Sequence, residues 1–134
     1  VASTTTINFP MSLQSLSAGY TSNCGIFSNG TLKCWGYGLP GSLGQGSTTN
    51  WGMNNAAAAT QNLPAINLGS GITALDVSTS GSSNVAFTCA LLSKQQIKCW
   101  GTNSVAQRGL GDLVNRGAVG TETPDQLPAV PISW

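Results

Sequence analysis

Alternation with a period of two marks this chain, and no stretch of it carries a convincing helical period. Ile72-Thr73-Ala74-Leu75-Asp76-Val77 alternates apolar with polar or small residues, the signature of a half-buried strand. Asn84 to Leu92 and Gln96 to Trp100 read as a hairpin, and so do the stretches flanking Ser28-Asn29-Gly30. After that turn Leu32 and Cys34 fall on one face of their strand, Lys33 and Trp35 on the other. Apolar groups on both faces suit a sheet packed between two others, as in a propeller blade. Ala56 to Ala59 is the one local helix former, and it is short. The pattern predicts an all-β chain.

The pattern also repeats. Ser17-Ala18-Gly19, then Cys24-Gly25-Ile26-Phe27-Ser28-Asn29-Gly30-Thr31-Leu32-Lys33-Cys34-Trp35-Gly36, recurs 65 residues later as the run from Cys89-Ala90-Leu91-Leu92 to Lys98-Cys99-Trp100-Gly101. Leu43-Gly44 is echoed by Leu110-Gly111, and Asn62-Leu63-Pro64-Ala65-Ile66 by Gln126-Leu127-Pro128-Ala129-Val130, so the landmarks keep one order at offsets of 64 to 67. This divides the chain into a first repeat, 1–66, with a long loop at 37–62, and a second, 67–134, with a long loop at 102–126.

Cys24 and Cys34 are ten apart, as are Cys89 and Cys99, and each pair brackets a turn. A three-residue hairpin loop at Ser28-Asn29-Gly30, with Gly30 at the left-handed position, sets Phe27 opposite Thr31, Ile26 opposite Leu32 and Cys24 opposite Cys34. The same count sets Cys89 opposite Cys99. Opposed Cβ atoms lie about 4.5–5.5 Å apart and a disulfide needs roughly 3.5–4.5 Å, a gap that a non-hydrogen-bonded pair closes. Four cysteines permit three pairings, of which only the local one is repeated by the chain. Two hairpin disulfides would each add about 2–3 kcal/mol by loop entropy and would place the protein outside the cytosol. Four reduced, buried thiols are the alternative. A zinc site does not fit, because the spacing is not a knuckle and the chain has no His.

Charge changes the picture by its scarcity. Five basic and four acidic residues give a net charge of +1, and 7% charged residues is far below the usual quarter. Such a chain attracts neither a nucleic acid nor an anionic membrane, and its weakly self-repelling surface favours association. No run of about 18 apolar residues is present to span a bilayer. Val1 reads as a processed or truncated end, with no initiating Met or signal peptide before it.

Without His, acid–base catalysis would fall to Asp76, Asp112, Glu122 and Asp125, which are dispersed and read as solvated or turn carboxylates. No phosphate-cradling loop follows a strand and precedes a helix. The expectation is a non-enzyme without a cofactor or metal. Asn29-Gly30-Thr31 is a sequon that marks Asn29 as an N-glycan acceptor, although Asn-Gly is also what a tight turn wants. Thr4-Thr5-Thr6 and Ser47-Thr48-Thr49 permit O-linked sugar. In the first long loop Trp51 and Met53 are contact candidates, or else pin the loop onto its blade.

A small-residue Gly, then Cys-Ala-Leu-Leu, a turn, Lys-Cys-Trp-Gly and Leu-Gly together resemble repeats of the regulator of chromosome condensation type. The match is nearest to the Cys-containing variety of bacterial and protist extracellular proteins, in which a Leu-Pro-Ala-Val strand follows, as Leu127-Pro128-Ala129-Val130 does here. The resemblance runs from about Thr4 to Val130 and implies four-stranded antiparallel blades of a β-propeller. It implies neither nucleotide exchange nor chromatin binding, since function does not travel with fold. Members usually string about seven blades, and two blades do not close a ring of 4–8. Gly52 to Gln61 also lacks acidic residues, against a calcium loop. Both ends of the chain fall at one phase of the repeat, which suits a unit that continues into an identical neighbour. The expected function is a secreted or cell-surface structural protein that self-associates head to tail into a fibre or ring. The alternative is a fragment of a larger propeller gripping a protein or glycan through its long loops.

Overall fold

The computed structural model describes residues 11–52 and 63–133. Six strands form among them: β1 (Leu13–Ala18), β2 (Ser22–Phe27), β3 (Leu32–Gly36), β4 (Ala74–Ser82), β5 (Val85–Leu92) and β6 (Gln96–Gly101). They make two antiparallel sheets, ordered β1-β2-β3 and β4-β5-β6. The hairpin count holds in both. Cys24 faces Cys34 and Ile26 faces Leu32 in the first sheet, while Cys89 faces Cys99 in the second. Gly30 takes the left-handed conformation at φ +79°, and its N–H donates to the Phe27 carbonyl at 2.8 Å. Cys24–Cys34 and Cys89–Cys99 are bonded, with Cα atoms 4.0 and 4.1 Å apart, the close spacing of non-hydrogen-bonded pairs.

Two expectations need correction. The strand expected from Ile72 begins at Ala74, because the Ile72 and Ala74 N–H groups go to Gly69 and Gly30 and tie this stretch to the first hairpin tip. It then continues to Ser82, where small residues still pair with Val85 through Cys89. Among the described residues each sheet also has three strands, where four are expected. The fourth position is held only at its ends. Gly36 exchanges two backbone hydrogen bonds with Trp51, as Gly101 does with Arg116, and at the other end Ile66 donates to Leu32 and Val130 to Ile97. Pro64 and Pro128 lack the N–H that would extend these contacts into a ladder.

Side chains on the two faces of each sheet are chemically distinct. On one face of the first sheet lie Ser17, Cys24, Ile26, Leu32 and Cys34. On the opposite-handed face of the second lie Val77, Thr79, Thr88, Ala90, Leu92 and Trp100. These two faces pack together as the core, with Leu43, Ile66, Leu68, Ala74 and Leu127 closing its edges. Hydrogen bonds register the contact. The Ser42 carbonyl accepts from Trp100 Nε1 and from Thr88 Oγ1, both at 2.9 Å, and the Thr79 N–H donates to Ser17 Oγ at 2.9 Å. The loop lies so close to the indole that a Cβ on Gly44 would sit 2.8 Å from Trp100 Nε1.

Trp100→Phe keeps most of the apolar contact and removes the indole donor from this buried carbonyl. It should lower stability by about 1–2 kcal/mol in urea unfolding with an unchanged m-value. An unmoved midpoint would show that the bond contributes nothing to the packing of the two sheets.

Candidate functional site

Several residues buried where the sheets meet have more exposed counterparts on the outer faces, although Phe27 (1% exposed) and Cys99 (3%) are buried there too. Val77 is 7% exposed and its counterpart Leu16 is 57% exposed. Thr88 and Trp100 are buried, whereas Asn23 and Trp35, in the same places of the first sheet, are half-buried. In the other direction Cys24, Ile26 and Leu32 are buried, and the matching Cys89, Leu91 and Ile97 are half-buried. A groove of about 300 Å³ lined by Leu75, Leu91, Leu92, Lys94 and Gln95 opens beside that second set.

The two long loops start alike. In the first, Gly38 donates to Asn50 Oδ1, Gly41 to the Gly38 carbonyl and Gly44 to the Gly41 carbonyl. In the second, Asn103 donates to Asn115 Oδ1, Ala106 to the Asn103 carbonyl and Gly109 to the Ala106 carbonyl. The offset is a constant 65 along these bonds. Leu43 therefore corresponds to Arg108, and not Leu43-Gly44 to Leu110-Gly111 as the dipeptides suggest.

That equivalence exposes a difference in chemistry. Leu43, Ser47 and Trp51 in the first loop become Arg108, Asp112 and Arg116 in the second. Arg108 is fully buried, and its nearest counter-charge is Asp112 Oδ1 at 3.7 Å. Its Nε and both Nη atoms have no hydrogen-bond partner among the described residues. Burial and the nearby Arg116 push its pKa down. Asp112 is the hub: it takes Arg116 Nη2 at 2.9 Å, Asn103 Nδ2 at 3.0 Å and the Val114 N–H at 2.9 Å. The Val114 bond first, then Arg116, hold its carboxyl below the usual range. Sequence reasoning passed over Arg108 because the misaligned Leu-Gly hid it; the constant 65-residue spacing was the signal that finds it.

Glu122 and Asp76 also serve the backbone, whereas the Asp125 carboxylate accepts from Gln126 Nε2 at 2.6 Å. Glu122 Oε2 accepts from the Gly117 and Ala118 N–H groups, and Asp76 Oδ1 from the Val77 N–H. The Asp125 carbonyl takes Lys98 Nζ at 3.1 Å, and the Pro124 carbonyl takes it at 2.7 Å. Asn29 is exposed at the hairpin tip, with Oδ1 accepting the Thr31 N–H at 3.0 Å. Trp51 is half-buried against the core and pins its loop rather than standing free of it. Met53, Ala56 to Ala59 and Thr4-Thr5-Thr6 lie outside the described residues.

No protein-family model matches the chain, and no curated protein sequence does. Solved structures do. Human WBSCR16 aligns with 90% of this chain at 17% identity and a TM-score of 0.61. The structure of Kap60 bound to yeast RCC1 (Prp20) aligns with 91% at 16% identity and a TM-score of 0.57. Prp20p from Saccharomyces cerevisiae, described with its binding to Gsp1p and histones, aligns with 91% at 17% identity and a TM-score of 0.55. In each case the match spans 26% of the solved chain, about a quarter of its length. The chain therefore has the fold of RCC1-type propeller blades, in two copies that do not close a ring.

Arg108→Leu installs the first loop's solution in the second. It should raise stability by about 1–3 kcal/mol, because a well-packed apolar side chain replaces a buried cation with too few acceptors. Thermal or urea unfolding reads this directly, and a loss of stability would mean that the Asp112 contact outweighs the burial. Acid separates the loops as well. With its folded pKa lowered, Asp112 contributes stability above its unfolded pKa of about 4, and this is lost as pH falls through the folded value. Amides of Asn103, Arg108 and Val114 should then exchange faster below about pH 4. Those of Gly38, Gly44 and Thr49 should keep their protection, and equal exchange in both loops would refute the hub role of Asp112.

Proposed function

We propose that this chain is a non-catalytic, extracellular structural segment: two RCC1-type blades that dock head to tail on further copies of the same chain. The observation that carries the reading is the burial contrast between joint and outer faces. Each outer face repeats, in chemistry as well as place, one half of a joint already made inside the chain. Cys89, Leu91, Ile97 and Cys99 stand for Cys24, Ile26, Leu32 and Cys34. Asn23, Gly25, Phe27 and Trp35 stand for Thr88, Ala90, Leu92 and Trp100. A second copy is thus a partner of matching chemistry on both sides. Charge does not oppose it, because the first 75 residues contain no Asp or Glu and the first repeat has Lys33 as its one charged side chain. The contact is heterologous, so it runs on as a filament or closes as a ring. Two disulfides support an oxidising, extracellular setting, in which exposed Asn29 would be open to glycosylation.

A second reading is favoured by the match to a quarter of each longer solved chain: a segment of a larger propeller, with other blades covering its faces and a protein partner at its loops. One experiment separates the two. Sedimentation velocity and negative-stain electron microscopy are run over a concentration series without reductant, on the wild type and on Leu91→Arg. Self-docking predicts rings or fibres at micromolar wild-type protein and none for the variant, with the two melting at the same temperature only when dilute enough for the wild type to be monomeric. Monomers at every concentration would remove the first reading in favour of the second.

A further inference from the structure

We infer that Ala106 is a wedge at the outer joint, making the contact between chains looser than the contact inside the chain. The inference rests on the head-to-tail reading above and adds the residue that grades it. Inside the chain the tightest point of the joint is Gly41, at φ +90°. A Cβ there would lie 2.2 Å from the Gly117 carbonyl carbon and 2.4 Å from the Ala118 nitrogen. Both obstacles are backbone, which has no rotamer with which to step aside.

The counterpart of Gly41 in the second loop is Ala106, fixed by the matching bonds from Ala106 to Asn103 and from Gly109 to Ala106. Ala106 keeps the left-handed conformation, φ +59°, and is exposed on the outer face. The counterpart of Gly117 is Gly52, set by the paired bridges of Gly36 with Trp51 and Gly101 with Arg116. Gly52 and Gly117 share one backbone region, φ +82° and +104°. A second copy docked as the two sheets dock would therefore bring its Gly52 onto the Ala106 methyl. Carbon contacts settle at about 3.5–4.0 Å, so this corner stands off by about 1 Å or more. The Gln107 carbonyl stands in the place of Ser42, and the same stand-off would draw it back from the second copy by a similar amount. At 2.9 Å the inner bonds have little length to spare before they cease to be hydrogen bonds at about 3.5 Å.

The test is sedimentation equilibrium on the wild type, Ala106→Gly, Ala106→Val and Val105→Gly, with melting followed in parallel. Ala106→Gly should raise the association constant at least tenfold and Ala106→Val should lower it. Val105→Gly, one residue away and equally exposed, should leave it unchanged. A wild type that stays monomeric at every concentration removes the head-to-tail reading, and the wedge with it, even if Ala106→Gly associates. If the wild type associates and Ala106→Gly gains nothing, or gains no more than Val105→Gly, the wedge is overturned and the docking stands. If neither the wild type nor Ala106→Gly associates, the docking falls and takes the wedge with it.

Discussion

A single carbonyl sets the distance between the two sheets. Both lone pairs of the Ser42 oxygen are used, one by the indole of Trp100 and one by the hydroxyl of Thr88. For that oxygen to reach both donors the loop must lie flat on the indole, which is why Gly44 tolerates no side chain and Gly41 none on its Gly117 side. The donors are placed in turn by the hairpin. Thr88 and Trp100 are directly opposed, one pair beyond the disulfide-linked Cys89 and Cys99, so the bridge that locks the register also aims the pair. Disulfide, register, donor pair and glycines form one chain of dependence. An error in any of them would separate the faces that make the core.

The repeats have kept this framework and diverged inside the second loop. Leu43 and Trp51 hold the first loop by burial against the core, while Arg108 and Arg116 hold the second through one shared carboxylate. A buried guanidinium with three nitrogens lacking partners is a poor stabiliser, since desolvation opposes its single counter-charge. The second loop is thereby held by the less favourable contact, and it borders the face with no covering sheet among the described residues.

Much of this was legible before the fold was seen. Counting outward from Ser28-Asn29-Gly30 yields the strand register, and the register yields the cysteine pairs, because a period of two and a turn of known length leave no freedom. Among the described residues the fourth strand is reduced to end contacts, because the proline of Leu-Pro-Ala-Val withholds the hydrogen bond a strand needs. The loop alignment was misjudged because a shared Leu-Gly dipeptide outweighed the spacing, whereas the backbone bonds of Gly38 and Asn103 obey spacing alone. The joint itself could not be read at all. It depends on Ser42 offering its carbonyl rather than its side chain, and a carbonyl has no sequence.

In the head-to-tail docking proposed above, ring or filament would be a question of summed rotations, with two rotations alternating. The inner joint contributes a fixed angle, set by rigid contacts from Ser17 to Trp100 that every copy shares. The outer joint would contribute an angle set largely by how far one methyl group holds two backbones apart. Closure requires the pairs of angles to sum to a full turn with no net rise along the axis. A stand-off at one corner both changes the angle and introduces a tilt, and tilt is what converts a closing series into an open helix. A blade count extrapolated from the inner joint alone would therefore misdescribe the assembly. In that docking the smallest side-chain difference between the two loops would carry the largest consequence for symmetry.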